Sequence, residues 1–366
     1  MTTTTPDTTQ LTRTAFVFNG LINSELDSRS LSALITEFLE LNADNTRPLL
    51  LRISCSGGIP EQVFALCGLL REVKRQNHPV HVHILGQLCN FSNMVAHVAD
   101  KVFMEPSASL TFEQYRCTIT GTPAARRNDL KYRKELFAKL CRSVVARSNN
   151  KLKLKEVMSW KSKHLTAQEA FELGLCDEVL PMPARVVKAT ESFANEYPVE
   201  INNSFTNVAS IFKIQISLND WMERSKNAGR PIRVVFTSWG GTVVQALSLY
   251  GLLCQAQREG HHVTVQVVGE AYSCALWFAT LALNSGEVLI DRDTMFMFHA
   301  PSNDNSGTLE ELDEMLLLDE AVFGQTCSLL RMIKGFTDEK IVSWSTEPDR
   351  YMTAQEVVAM GMGKLV

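Results

Sequence analysis

Four stretches of the chain are apolar or alternate apolar with polar positions, and each stops at glycine: "LLLRISCSGG" (49–58), "VHVHILG" (80–86), "IRVVFTSWGG" (232–241) and "VTVQVVG" (263–269). Runs this short, rich in Val and Ile and closed by Gly, predict buried or half-buried β-strands. After Gly58 the apolar positions Val63, Leu66, Cys67, Leu70 and Val73 fall at helical spacing, which predicts an amphipathic helix; "VQALSLYGLLCQA" (244–256) takes its place after Gly241. "GQLCNFSNMVA" (86–96) and "GEAYSCALWFA" (269–279) each lead from a strand into a further apolar helix. Strand–helix–strand order at this spacing predicts a parallel sheet with crossover helices. In such sheets ligands bind beyond the carboxyl ends of the strands. Gly240, Gly241 and Ser273 all lie just past such ends and are expected to meet in space.

The pattern occurs twice. Gly57 maps to Gly240, Gly86 to Gly269 and Asn90 to Ser273, each at an offset of 183 residues. "KVFMEP" (101–106) matches "EVLIDR" (287–292) at 186, and "HLTAQEAFELGL" (164–175) matches "YMTAQEVVAMGM" (351–362) at 187. Equal offsets followed by a slow drift mark two copies of one domain. We place them at 13–182 and 197–366. The proline-bearing stretch 183–196 is the linker, and residues 1–12 are a flexible tail rich in threonine, without the apolar core of a signal peptide.

Composition adds a compartment and removes some partners. At 366 residues the chain has room for about two domains. A net charge of −4 gives no global attraction to nucleic acid or to an anionic membrane. No apolar run reaches the ~20 residues of a membrane span. Nine cysteines, an odd number without CxxC spacing, predict reduced thiols and a cytoplasmic protein. No cofactor or metal motif is present.

The second copy carries the parts of a nucleophilic site. A serine hydroxyl needs a base to take its proton and a third group to orient that base. Ser273 follows a strand and opens a helix, whose amino end adds a positive dipole. His299 closes the strand "TMFMFHAP" (294–301), and Asp349 lies in a loop ahead of the TAQE helix. Gly240 and Gly241 leave backbone N–H groups unshielded. Each feature alone has a bland reading, namely a helix cap, a structural histidine or a turn. All four fall at element ends expected on one side of the sheet.

These residues resemble the proteolytic subunit of the Clp protease over nearly the whole second copy. That family shows SPGG, GxAxS, a strand ending in His-Gln-Pro and an Asp-Arg-Phe-Met-(Ser/Thr)-Ala-x-Glu segment; this chain has "SWGG" (238–241), "GEAYS" (269–273), "FHAP" (298–301) and "DRYMTAQE" (349–356). The resemblance implies an α/β fold of two tandem spiral ββα domains of the Clp protease and crotonase type. It makes Ser273 the nucleophile, His299 the general base and Asp349 its orienting acid. The N–H groups of Gly241 or Gly240 and of Cys274 become the oxyanion donors. Trp239 in place of Pro and Ala300 in place of Gln are departures, and Trp239 bears on cleavage preference. The resemblance further implies a peptide or unfolded-protein substrate and a self-compartmentalising homo-oligomer, or a hetero-oligomer with a similar subunit. It also implies a separate AAA+ unfoldase, because no GxxxxGK[ST] occurs here.

In the first copy the same frame gives Asn90 for the serine, Glu113 for the histidine and Ser162 for the aspartate, so this copy is expected to be a scaffold. His81 and His83, alternating on a strand, and His97, on a helix, are not expected to replace the lost base. Residues 126–163 carry thirteen Lys or Arg against three acids, whereas 304–320 carry seven acids and no Lys or Arg. With only Tyr132 and Phe137 interleaved, the basic segment does not predict a nucleic-acid surface; basic and acidic long helices facing each other in an assembly is the preferred reading. Competing functions are a crotonase-type acyl-CoA hydrolase or hydratase, a tandem Ser–Lys signal-peptide peptidase type and a non-catalytic ring scaffold.

Overall fold

The computed structural model describes residues 15–22, 46–113, 123–183, 197–201, 208–224, 229–299, 309–331, 336–346 and 349–366, with isolated positions between them. The tail expected at 1–12 and nearly all of the linker expected at 183–196 lie outside the described residues, as does Ala300. The chain divides into two compact units whose main bodies are Leu21–Leu180 and Pro181–Ser306 with Asp319–Val366.

The first sheet holds strands β1 (Ala15–Ile22), β2 (Leu49–Gly58), β3 (Val80–Cys89), β4 (Lys101–Met104), β5 (Ser109–Glu113), β6 (Ser162–Thr166) and β7 (Glu178–Val179). Its helices are α1 (Pro60–Arg75), α2 (Asn93–Val98), α3 (Pro123–Arg147), α4 (Leu154–Met158) and α5 (Ala167–Glu172). The second holds β8 (Tyr197–Ile201), β9 (Ile232–Ser238), β10 (Val263–Tyr272), β11 (Glu287–Ile290), β12 (Met295–Phe298), β13 (Arg350–Thr353) and β14 (Lys364–Leu365). With these go α6 (Val208–Met222), α7 (Val243–Arg258), α8 (Cys274–Ser285), α9 (Leu309–Leu330), α10 (Asp338–Thr346) and α11 (Ala354–Ala359).

The two seven-stranded sheets have one topology. The first runs β1-β2-β3-β4-β7, with β5 pairing β3 and β6; shifting every label by seven gives the second. Leu49 and Ile232 open β2 and β9, and Val80 and Val263 open β3 and β10, which keeps the 183-residue offset. The long strand forks each sheet. In β10, Thr264–Val267 pair in parallel with β11, and Glu270–Tyr272 pair in parallel with β12. β13 then closes against β12 in antiparallel register. The fork carries the end of β10 into a second layer, and the candidate site lies there.

The cores follow the apolar pattern. Helix α1 buries Val63, Leu66, Cys67, Leu70 and Val73, the five positions its spacing marked. Each such side chain removed from water stabilises the fold by about 1.5–3 kcal/mol. Helix α7 differs: it is buried all round from Gln245 to Gln257, polar residues included, and Gln215 Nε2 donates to its Ser248 Oγ at 2.9 Å. Both TAQE segments begin their helices with reciprocal caps. Thr166 N donates to Glu169 Oε2 at 2.8 Å and Glu169 N to Thr166 Oγ1 at 3.3 Å. Thr353 and Glu356 repeat this at 2.8 and 3.4 Å.

The eight described cysteines are buried and form no disulfide. Among the described residues no helix is long and apolar enough to cross a membrane, and no cluster of His, Cys, Asp or Glu is arranged to hold a metal.

Candidate active site

Ser273 stands between the end of β10 and the start of α8 with φ 56° and ψ −129°. A helix-capping serine has extended backbone and bonds an N–H of the first turn. Ser273 does neither: its backbone lies outside the capping region and its side chain makes no cap bond. Five described non-glycine residues have positive φ, and the other four are asparagines, the residue type that tolerates this region best. Ser273 is therefore held in a strained strand-to-helix turn that lifts its hydroxyl away from the sheet, the geometry of a nucleophile elbow. Such strain costs about 1–3 kcal/mol. Ser273→Gly is expected to raise stability by about 1 kcal/mol after the larger chain entropy of glycine is subtracted; a shift of the urea midpoint to higher concentration checks it.

Register brings the other two residues to the same place. Tyr272 pairs with Met297, and Ser273 N donates to Met297 O at 2.9 Å, so Ser273 sits beside the last turn of β12 into His299. The antiparallel register of β12 and β13 ends at the pair Phe298–Arg350, and His299 and Asp349 are the residues that follow and precede that pair. Asp349 does not simply precede a helix, as the sequence suggested; it precedes the four-residue strand β13. His299 is half-buried and Asp349 exposed. Among the described residues, no hydrogen bond joins the side chains of Ser273, His299 and Asp349 to one another.

The glycines lie against the serine. A Cβ on Gly240 would stand 2.7 Å from both Ser273 Cβ and Tyr272 O, and Gly240 has φ +94°. Only glycine fits there. The candidate oxyanion donors have partners within the protein. Gly240 N donates to Ser238 Oγ at 3.2 Å. Burial pushes the Cys274 thiol up to about 12, opposed by the N–H groups of Gly241 and of Cys274 itself, which face the sulfur. The three N–H groups lie close to Ser273 in the chain, aimed at neighbouring protein atoms.

The first copy places Asn90, Glu113 and Ser162 in the corresponding positions. Asn90 keeps the positive φ of the elbow, at 51°. Glu113 pairs with Ser162 across β5 and β6. Asn90 Nδ2 donates to Glu113 Oε2 at 3.1 Å, and Glu113 N donates to Asn90 Oδ1 at 2.6 Å. The Asn90 amide thus bonds both the carboxylate and the backbone N–H of Glu113, at the positions that Ser273 and His299 hold in the second copy. None of the three histidines approaches it. His81 and His83 pair with Lys101 and Phe103 on β4, and His83 bonds the buried Glu105 at 2.8 Å. At ~3.3 Å per residue, His83 is about 20 Å down β3 from Asn90.

His97 points to α3, with Nδ1 on Ser143 Oγ at 2.9 Å. Ser143 Oγ donates to Leu140 O, so it accepts from His97 Nδ1–H. Burial first, then the Arg147 cation, hold the His97 imidazole down at about 3. The folded protein keeps it neutral while the unfolded chain binds a proton below pH ~6.5, so this group's contribution is intact above ~6.5 and is lost as pH falls toward 3. Stability is expected to drop by about 1 kcal/mol per pH unit in that window. His97→Asn, which keeps a donor for Ser143, is expected to flatten the slope in urea unfolding at pH 7, 6 and 5.

No curated protein shows significant similarity to the chain. The Clp protease family model matches it twice, over residues 5–183 and 207–366; Asn90 falls within the first match and Ser273 within the second. With 339 of 366 residues matched and both halves sharing one topology, the chain belongs to the Clp protease family as a tandem repeat.

Proposed function

We propose that the chain is a serine endopeptidase whose chemistry resides in the second domain (197–366), with the first domain (13–182) serving as a scaffold. The observation that carries the reading is the strained Ser273 at the end of β10; the β12–β13 register, which ends at Phe298–Arg350 between His299 and Asp349, supports it. In this reading Ser273 Oγ attacks the peptide carbonyl carbon while His299 takes the hydroxyl proton. The C–N bond then breaks and His299 returns that proton to the leaving amine, which leaves an acyl-enzyme ester on Ser273. A water molecule attacks the ester, giving its proton to His299, and the acid product departs as the proton goes back to Ser273 Oγ. Asp349 orients the imidazole and stabilises its cation. Gly240, Gly241 and Cys274 supply N–H groups to the oxyanion once these turn from Ser238 and the Cys274 sulfur.

Family membership supports a peptide or unfolded-protein substrate, assembly into an oligomer with copies of itself or a related subunit, and an ATP-driven unfoldase on a separate chain. The tandem arrangement places one triad in every two folds of such an assembly. A cytoplasmic location agrees with the buried free thiols.

A fluorophosphonate probe with intact-mass readout tests the reading. One adduct per chain, lost in Ser273→Ala, is expected. Absence of an adduct in the presence of a co-purified ATPase would favour the second reading, a non-catalytic ring scaffold. One observation speaks for that alternative: the three side chains share no hydrogen bond in this structure.

A further inference from the structure

A cleft of about 300 Å³ opens in the first unit, where α1, α2 and the last turns of α3 meet the residue ahead of β7. Its polar lining is Arg71, His97, Ser143, Arg147, Asn149 and Asp177. Three of these side chains keep bonding capacity unused. The Nδ1–H of His97 goes to Ser143 Oγ, so Nε2 of the neutral ring holds a lone pair. That nitrogen is buried and has no hydrogen-bond partner among the described residues. A buried acceptor without a donor is costly, and folded proteins retain few.

Arg147 donates to Ala99 O at 2.9 Å and pairs with Asp177. Its other three N–H groups make no bond among the described residues. Asp177, the one acid of the lining, also accepts from Val102 N at 2.7 Å and is thereby committed. Arg71 is exposed and forms no ion pair among the described residues; its neighbours Glu72 and Lys74 are taken by Arg75 and Asp100. The lining therefore offers two guanidinium groups against one carboxylate, beside a lone-pair nitrogen.

The second copy supplies an internal comparison. Cys254 and Thr280 stand at the positions of Arg71 and His97, each at the offset of 183, and both are buried. Thr280 Oγ1 donates to Leu276 O at 2.6 Å within its own helix. The fold does not require a cation and an imidazole here. They occur in the copy that has Asn90 in place of the serine.

We infer that the first copy holds a binding site for a small phosphate, free or as the ester of a polyol. Its oxygens take N–H groups of Arg71 and Arg147, and an O–H of the ligand donates to His97 Nε2. The inference is independent of the peptidase reading. Guanidinium forks match phosphate oxygens in geometry and charge. The lone pair of Nε2 selects further. At neutral pH the free phosphate ion carries at least one O–H, and a polyol ester brings its hydroxyls. Sulfate and simple carboxylates would meet the arginines but have no proton to give, and would set an oxygen lone pair against the nitrogen's. The volume lies at the lower end for small-molecule sites and has room for a short polyol beside the phosphate.

The test titrates the full chain at pH 7 and constant ionic strength with phosphate, sulfate and glycerol phosphate, read by isothermal titration calorimetry. One phosphate per chain is expected, bound at least about tenfold tighter than sulfate. Arg71→Gln, a change at an exposed side chain, is expected to weaken phosphate about tenfold. His97→Asn keeps a donor for Ser143 and withdraws the acceptor, and is expected to bring phosphate and sulfate within about twofold. Should that variant fail to fold by circular dichroism, Arg71→Gln decides alone. Glycerol phosphate binding tighter than phosphate makes the ester the ligand, and the opposite order the free ion; both support the site. It is overturned by no saturable binding of either, by sulfate as tight as phosphate, or by a phosphate affinity that Arg71→Gln leaves unchanged.

Discussion

Replacing any one of the three residues at the β10–β12–β13 junction is expected to remove peptide cleavage almost completely. Ser273→Ala and His299→Ala should each lower kcat by about a million-fold, and Asp349→Ala by about ten-thousand-fold, with KM little changed. The residues act as a unit, so Ser273→Ala combined with His299→Ala should be no worse than either alone. The smaller loss at Asp349 follows from the role proposed for it: it would orient the base without meeting the substrate, and His299 could still accept a proton without it. Initial rates on a fluorogenic peptide, read beside fluorophosphonate labelling, check this. A His299→Ala chain that still cleaves at the unmodified rate would sink the triad and point to a different base. Glu113→Ala in the first copy should leave labelling at Ser273 intact, since Glu113 bonds Asn90 within the other sheet.

A second large effect is expected from one methyl group. Gly57 and Gly240 are equivalent positions with positive φ, +130° and +94°. At Gly57 a Cβ meets nothing within 4 Å, and at Gly240 it meets Ser273 Cβ and Tyr272 O at 2.7 Å. Gly57→Ala thus carries the backbone cost alone, about 1–2 kcal/mol. Gly240→Ala carries that cost and forces the elbow to move, for a total of about 3–4 kcal/mol, with loss of labelling at Ser273. Urea unfolding of the two variants measures the difference. Equal destabilisation, with labelling retained in both, would mean that Ser273 is not packed on Gly240.

The repeat shows how far a sequence pattern reaches. Offsets of 183, 186 and 187 predicted two copies, and the two sheets share one topology strand for strand. The helical spacing after Gly58 named the five side chains that α1 buries. These features were legible because hydrophobic periodicity is local and the core must be filled whatever the distant partners are. The same spacing was less informative for α7, since a helix buried on every side has no polar face to mark its orientation.

Residue types were legible at the site; geometry was not. Ser273, His299 and Asp349 could be picked out because each ends or begins an element, but the sequence read Asp349 as a loop residue ahead of a helix. "DRYMT" is too short to show strand periodicity, and it became β13 only because β12 offers an edge to pair with. Likewise the glycines read as free oxyanion donors, and the structure turns Gly240 N–H to Ser238 and Gly241 N–H toward the Cys274 sulfur.

By itself the sequence determined that this chain is one fold written twice, and which copy retains a serine, a histidine and an aspartate at element ends. Only the tertiary structure decided that Ser273 is strained and not a cap, that the strands next to His299 and Asp349 pair in antiparallel register, and that Asn90 and Glu113 bind each other in the first copy. Those are relations between residues 23 to 76 positions apart. Composition fixes which atoms are available, whereas hydrogen-bond register and close packing, set by the whole sheet, fix which of them meet.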